Sequence, residues 1–401
     1  MRMIPFKQRL FQLSALCGLL VLLCACAGNG GSQGSATTTS SSTAHTNTAT
    51  TSPTVLPSSG VNSGPQPCPA AVAEIADWNP IIPIQTGVSK AKSVTCGYLK
   101  NIPTLQALVT VNHSGPGSIL DVYVYDNLTG AVPVQIFKLL NLSKGDAKVS
   151  GNNSVETAEV DPNSSINKDL SQADYTPDLF REFQWSAGAG TLVQVPFAGI
   201  FPDLTRYQAE VDQGQVKQGH QPWKLNATKT AQALGASLLH WNQDAPATLV
   251  SGGGDHDAQA VVNLKNASSD PGNSITISLA RLEQNTNNGI WIVTDVQTTG
   301  LSLTQPQTGS RLRGSTTTTG TGSAFEGVIG KVTILDHLYT DIGHTTAHGA
   351  TGNGSTTFST NVSSHPTFKG GAQEGLIMLT TRGNASGAIS GAIIIKVLLQ
   401  Q

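Results

Sequence analysis

The densest run of titratable residues is Asp255-His256-Asp257, which directly follows Ser251-Gly252-Gly253-Gly254. Neighbouring residues in a strand or turn point in different directions, so these three do not converge on one metal ion, and a solvated turn is expected. His337, Asp341, His344 and His348 contain a pair at i, i+4 that would share one face of a helix. Gly343, Gly349 and the threonines between them predict a surface loop instead, with a weak transition-metal site as the alternative. A third stretch, residues 178–185 (Asp-Leu-Phe-Arg-Glu-Phe-Gln-Trp), lies upstream of Phe201-Pro202-Asp203 and Arg206-Tyr207. Aromatic rings beside Arg181 and Glu182 suit a ligand groove, or more simply a core with a surface ion pair between those two residues. The glycines near Ser251 are not followed by Gly-Lys-Ser/Thr, and the sequence has no Gly-x-Ser-x-Gly elbow. No catalytic residue, metal ligand or cofactor is assigned, and the chain is not expected to be an enzyme.

The N-terminus has a recognisable chemistry of its own. Arg2, Lys7 and Arg9 precede an almost wholly apolar run over residues 10–25, the pattern of a secretory signal. The run is short for a membrane span. It ends in Leu23-Cys24-Ala25-Cys26, which resembles the lipobox of bacterial lipoproteins: a Leu three positions before the cysteine, a small residue just before it, then the cysteine that receives lipid. The resemblance implies that Cys26 is the lipidated N-terminus of the mature protein. Cys24 fits less well, because Leu23 stands where a small residue is needed. Two or three acyl chains would hold the protein stably on the membrane, where a single chain is marginal. An uncleaved membrane helix would leave the rest of the chain on the same, extracytoplasmic side.

Export decides how the remaining cysteines are read. Cys68 and Cys96 are the cysteines outside the N-terminal segment, and an even pair in an exported chain reads as a disulfide, with two buried thiols as the alternative. In the chain-entropy model such a bridge stabilises the fold by roughly 3–4 kcal/mol. From residue 28 to about 67 the chain is nearly all Gly, Ser, Thr, Asn, Ala and Pro, with too little apolar surface to offset the entropy of ordering. It is expected to be a disordered tether whose root-mean-square reach is roughly 30–40 Å.

Lys plus Arg number 23 against 25 Asp plus Glu, and charged residues make up 12%, so no strong field favours nucleic acid as a partner. The expected partners are the membrane, through the anchor, and an envelope protein or wall polymer. With 401 residues, several domains are expected. After a short helix over 70–78, strands are predicted at 105–111, at 119–126 and 132–140 as a hairpin around Asn127-Leu128-Thr129-Gly130, and at 180–185 and 192–197 as a second hairpin. Residues 143–177 are polar and read as loop. Pro202-Asp203-Leu204-Thr205 reads as a helix start, with the helix running to Gln213 or Gly214. Ala227, Ala231, Leu234, Leu238 and Trp241 mark the apolar face of another, followed by strands at 258–264, 274–282 and 290–296. The expected fold class is therefore α+β with antiparallel sheets over 68–214 and 215–304, ahead of an all-β segment at 305–401.

Within that last segment, Pro306, Gly309, Gly320 and Gly322, then Ala324-Phe325-Glu326-Gly327 and a strand through Val332, Ile334, Leu335 and Asp336, resemble the immunoglobulin-like domain of bacterial spore germination proteins. The resemblance covers about a quarter of the chain. It implies a β-sandwich attached to other exported domains and a role in the envelope or in sporulation and germination, with no catalytic residues to carry over. If it holds, Phe325 is a buried anchor against the closing strand near Ile393 or Ile395. The expected function is a membrane-anchored lipoprotein with a binding, accessory or structural role. The alternative is a secreted wall-polymer hydrolase using carboxylates in 68–304, which needs two acids converging in a cleft.

Overall fold

The computed structural model describes residues 63–84, 87–115, 117–266, 274–282, 288–350, 354–383 and 387–401. Cys26, the signal segment 1–26 and the tether up to residue 62 lie outside the described residues. The short helix expected at 70–78 is two 3₁₀ turns, Ala70–Val72 and Ile75–Trp78, which bury Val72 and Trp78. Four antiparallel strands follow, paired in sequence order: β1 Ser89–Gly97, β2 Gln106–His113, β3 Ile119–Asp126 and β4 Val134–Ser143. Alternate residues of β2 and β3 fill two cores. Val109, Tyr123 and Tyr125 pack with Trp78 on one face, and Leu108, Leu120, Val122 and Val124 pack on the other.

The second sheet, also in sequence order, is β5 Asp146–Val149, β6 Val155–Glu159, β7 Leu179–Ser186 and β8 Thr191–Val195. Val149, Val155, Phe183 and Leu192 pack it against the first sheet. The loop expected at 143–177 is therefore corrected, since β5 and β6 lie inside it. β6 reads Val-Glu-Thr-Ala-Glu, and two carboxylates in five residues hide a strand whose residues are all buried.

Two helices come next. α1, Arg206–Lys217, is capped by Thr205, whose Oγ1 accepts from Gln208 N at 3.3 Å. α2, Ala227–Leu238, is capped by Asn226, whose Oδ1 accepts from Lys229 N at 2.9 Å. Ala227, Ala231, Leu234 and Leu238 are buried as their spacing predicts. The boundary expected at 214/215 falls inside α1 and does not separate two cores.

The rest of the chain adds β9 Ala247–Gly252, β10 Gln259–Lys265, β11 Ser274–Arg281, β12 Trp291–Thr298, β13 Ser302–Gln305, β14 Arg311–Arg313, β15 Ser315–Ser323, β16 Val328–Leu335, β17 Asp341–His348, β18 Ser355–Ser363, β19 Ala372–Arg382 and β20 Ile389–Gln400. The large sheet runs β17-β16-β19-β20-β12-β11-β10-β9, with β14 lying parallel along β20. β13, β15 and β18 form a separate layer over it, where Phe358 and Val362 meet Val332, Ile334, Ile377 and Leu379. β12 pairs with β20 through Val296 and Ile394, and one core joins Leu234, Ile277 and Val293 to Leu376 and Ile394. Residues on the two sides of 304/305 thus share a sheet and a core, and the described residues belong to one compact unit. The molecule is mostly antiparallel β, and the helical part of the expected α+β region amounts to α1 and α2.

Phe325 is not the expected anchor: it is 55% exposed. Phe325 N donates to Val328 O, and Val328 N to Phe325 O, both at 2.9 Å, with φ of 49° at Glu326 and 80° at Gly327. Two successive residues in the left-handed region make a tight primed turn, which puts Phe325 at its corner. Phe358 and Phe368 occupy the core instead.

Candidate functional site

Cys68 and Cys96 are joined, with S–S 2.08 Å. Gln66 N donates to Cys96 O at 2.7 Å, so the entering chain is fixed to β1 by one covalent bond and one hydrogen bond beside Trp78.

In a chain with so few charges, many of them are inside. Lys148 on β5 stands directly across from Glu156 on β6, which stands directly across from Glu182 on β7. Like charges opposite one another on paired strands repel. Helix α1 lies over this row and brings Arg206 and Glu210, four residues apart on one helix face. Lys148 Nζ is 3.0 Å from both Glu156 Oε2 and Glu210 Oε2, and Arg206 Nε is 3.3 Å from Glu182 Oε1. Glu182 Oε1 also accepts from Ser154 Oγ at 2.8 Å and Gln184 Nε2 at 3.0 Å. Tyr207 stacks on Phe180 and donates to Asp146 at 2.8 Å. Three carboxylates therefore share two cations, with Glu156 and Glu182 buried and Lys148, Glu210 and Arg206 reaching the surface. Burial first, and then the charge of Glu210, push the Glu156 carboxyl up to about 8, while Lys148 opposes the shift.

Arg181 and Glu182 do not pair with each other, because adjacent residues of a strand face opposite ways. Both are buried, at 7% and 4% exposure, rather than forming a surface pair. Arg181 Nη1 meets Glu159 Oε1 at 2.5 Å, and Nη2 donates to the carbonyls of Gly370 at 3.0 Å and Lys369 at 3.4 Å. Lys369 Nζ completes this group at 3.0 Å from Glu159 Oε2. On β19 and β20, Glu374 and Lys396 are buried 3.4 Å apart. Lys396 Nζ also donates to the carbonyls of Gly199 at 2.7 Å and Leu204, and Glu374 Oε1 accepts from Phe197 N at 3.0 Å. These contacts tie the chain entering α1 to the middle of the large sheet.

The other candidates do not converge. Asp255, His256 and Asp257 form the exposed turn between β9 and β10, where Gly254 N donates to Asp257 Oδ2 at 2.8 Å. Residues 341–348, expected as loop, are β17. Gly343 is there for close packing, since a Cβ would sit 2.0 Å from Ser363 O. Along a strand, His344 and His348 are about 13 Å apart, too far to share an ion. His344 pairs with Asp341 at 2.9 Å, and His337 is buried 3.9 Å from Asp178. Among the described residues no group of three or more His, Cys, Asp or Glu is placed to hold a metal ion. A surface groove of about 670 Å3 runs past Pro80, Ile81, Pro83, Tyr125 and Val132, with no carboxylate in its lining. No family model matches the sequence, and no curated protein matches it.

Sequence reasoning missed Glu156, Glu159, Glu374 and Lys396. Lys396 was detectable, because Ile393-Ile394-Ile395-Lys396-Val397-Leu398-Leu399 sets one charge inside a run too apolar to face water. The glutamates of β6 sent the opposite signal, since unpaired carboxylates are the mark of a solvated segment.

Proposed function

We propose that the protein is a lipoprotein of the cell envelope, held at the extracytoplasmic face by lipid on Cys26, whose folded part serves a binding, accessory or structural role toward an envelope protein or wall polymer. The observation that carries this reading is the Cys68–Cys96 disulfide, a bond that persists in oxidising, extracytoplasmic compartments. The basic residues Arg2, Lys7 and Arg9 ahead of the apolar run over 10–25 point the same way. The layer of β13, β15 and β18 over β16, β19 and β20 supports a sandwich like that of spore germination proteins, which in this chain shares its larger sheet with residues before 305. The carboxylates of the β5–β7 row support a structural role, since the side chain of Glu156 is 0% exposed and that of Glu182 4%. Cys26→Ser is expected to abolish incorporation of radiolabelled fatty acid and to release the protein from membranes. Undiminished labelling in that variant would refute the anchor.

A further inference from the structure

Lys224 lies in the 3₁₀ turn Pro222–Leu225 between α1 and α2, and its side chain is 4% exposed. Gln221, in the left-handed region at φ 48°, and Pro222 turn the chain back on α1. This brings Lys224 Nζ into contact with Asp212 Oδ2 on α1 and to 3.8 Å from Asp203 Oδ2. Trp223 shields the amine, its ring centroid 5.5 Å from Nζ. The Asp203 side chain is nine-tenths buried, and its Oδ2 makes no hydrogen bond among the described residues. A buried amine thus touches one carboxyl, whose side chain is 18% exposed, and lies 3.8 Å from a second that is nine-tenths buried.

In water such groups form salts, because an ammonium has no lone pair and a carboxylate is a poor electrophile. Removing water favours the neutral forms of both. Burial pushes Lys224 down, opposed by Asp203, and pushes Asp203 up to about 6, opposed by Lys224. We propose that Lys224 and Asp212 form an isopeptide cross-link within the folded chain, with Asp203 as the proton-transfer group. A proton first passes from Lys224 to Asp212 across their contact, leaving a neutral amine and a neutral acid. The Nζ lone pair attacks Asp212 Cγ, forming the C–N bond. The Asp203 carboxylate takes a proton from Nζ and delivers it to the departing hydroxyl of Asp212 as the C–O bond breaks. Asp203 ends as it began, and the net change is one amide formed and one water lost.

Tryptic mapping of the purified full chain tests this. The expected product joins peptide 207–217 to peptide 218–229, uncleaved after Lys224 and lighter than their sum by one water. Lys224→Arg should abolish it. Asp203→Asn, with its fold checked by circular dichroism, should slow its formation about a hundredfold, the size of a lost proton-transfer group. Separate, unlinked peptides from wild-type protein incubated for days in the folded state would overturn the cross-link. Linkage at an equal rate in a folded Asp203→Asn variant would overturn the role given to Asp203.

Discussion

Raising the pH from 5 to 8 is expected to destabilise the fold by about 3 kcal/mol through Glu156 alone. Its carboxyl is ordinary, at 4.5, in the unfolded chain and about 8 in the folded one. Between those values the folded state holds a proton that the unfolded state has released. The stability this gives is complete below pH 4.5 and is lost as the pH rises through 8. Glu374, raised to about 7 chiefly by burial, and Asp203, raised to about 6, act in the same direction over narrower windows. Lys224 and Lys396, both lowered by burial, act with the opposite sign in a window below 10.5. Comparison with Glu156→Gln isolates the glutamate. The amide mimics the protonated acid and leaves Lys148 its Glu210 partner, so the variant should match wild type at pH 5 and exceed it at pH 8. Urea unfolding at both pH values measures the difference, and identical pH slopes in the two proteins would contradict a protonated Glu156.

Arg181→Met is expected to cost about 3–5 kcal/mol, because it strands the buried Glu159 carboxylate and frees the carbonyls of the 369–371 turn. Glu159 is left with Lys369, whose side chain is 42% exposed and correspondingly screened. Arg181→Lys should lose much of the same stability, since an ammonium cannot span the carboxylate and the turn together as a planar guanidinium does. The double variant Arg181→Met/Glu159→Leu removes the stranded charge and should recover most of the loss. Chemical denaturation of the three variants checks this, and a double variant no more stable than Arg181→Met would show that the lost packing, not the carboxylate, sets the cost.

The two charge groups mark where the sequence was legible and where it was not. Alternation exposed β3, β4, β7 and β8, and the spacing of Ala227, Ala231, Leu234 and Leu238 exposed α2, because in each the buried face is apolar. β6 buries Glu156 against Lys148 of β5, and that pairing depends on register and on α1 arriving from more than forty residues away. Hydropathy is blind to it. Position 214/215 lies inside α1, and the sheet continues across 304/305, for a related reason: a change of composition at Pro306 reports local turn chemistry, whereas sheet continuity is decided where Val296 meets Ile394. Phe325 shows the same limit, since two positive φ angles turned an apparent core residue outward. The cysteine pair was legible because its chemistry needs only a compartment and an even count.

Membrane sidedness tests the envelope assignment most directly. Spheroplasts treated with a membrane-impermeant amine reagent should yield protein modified at the exposed Lys90, Lys92 and Lys138, to the same extent as after lysis, while the buried Lys396 stays unmodified in both. Modification of those three lysines only after lysis would place the folded part inside the cell and contradict the assignment.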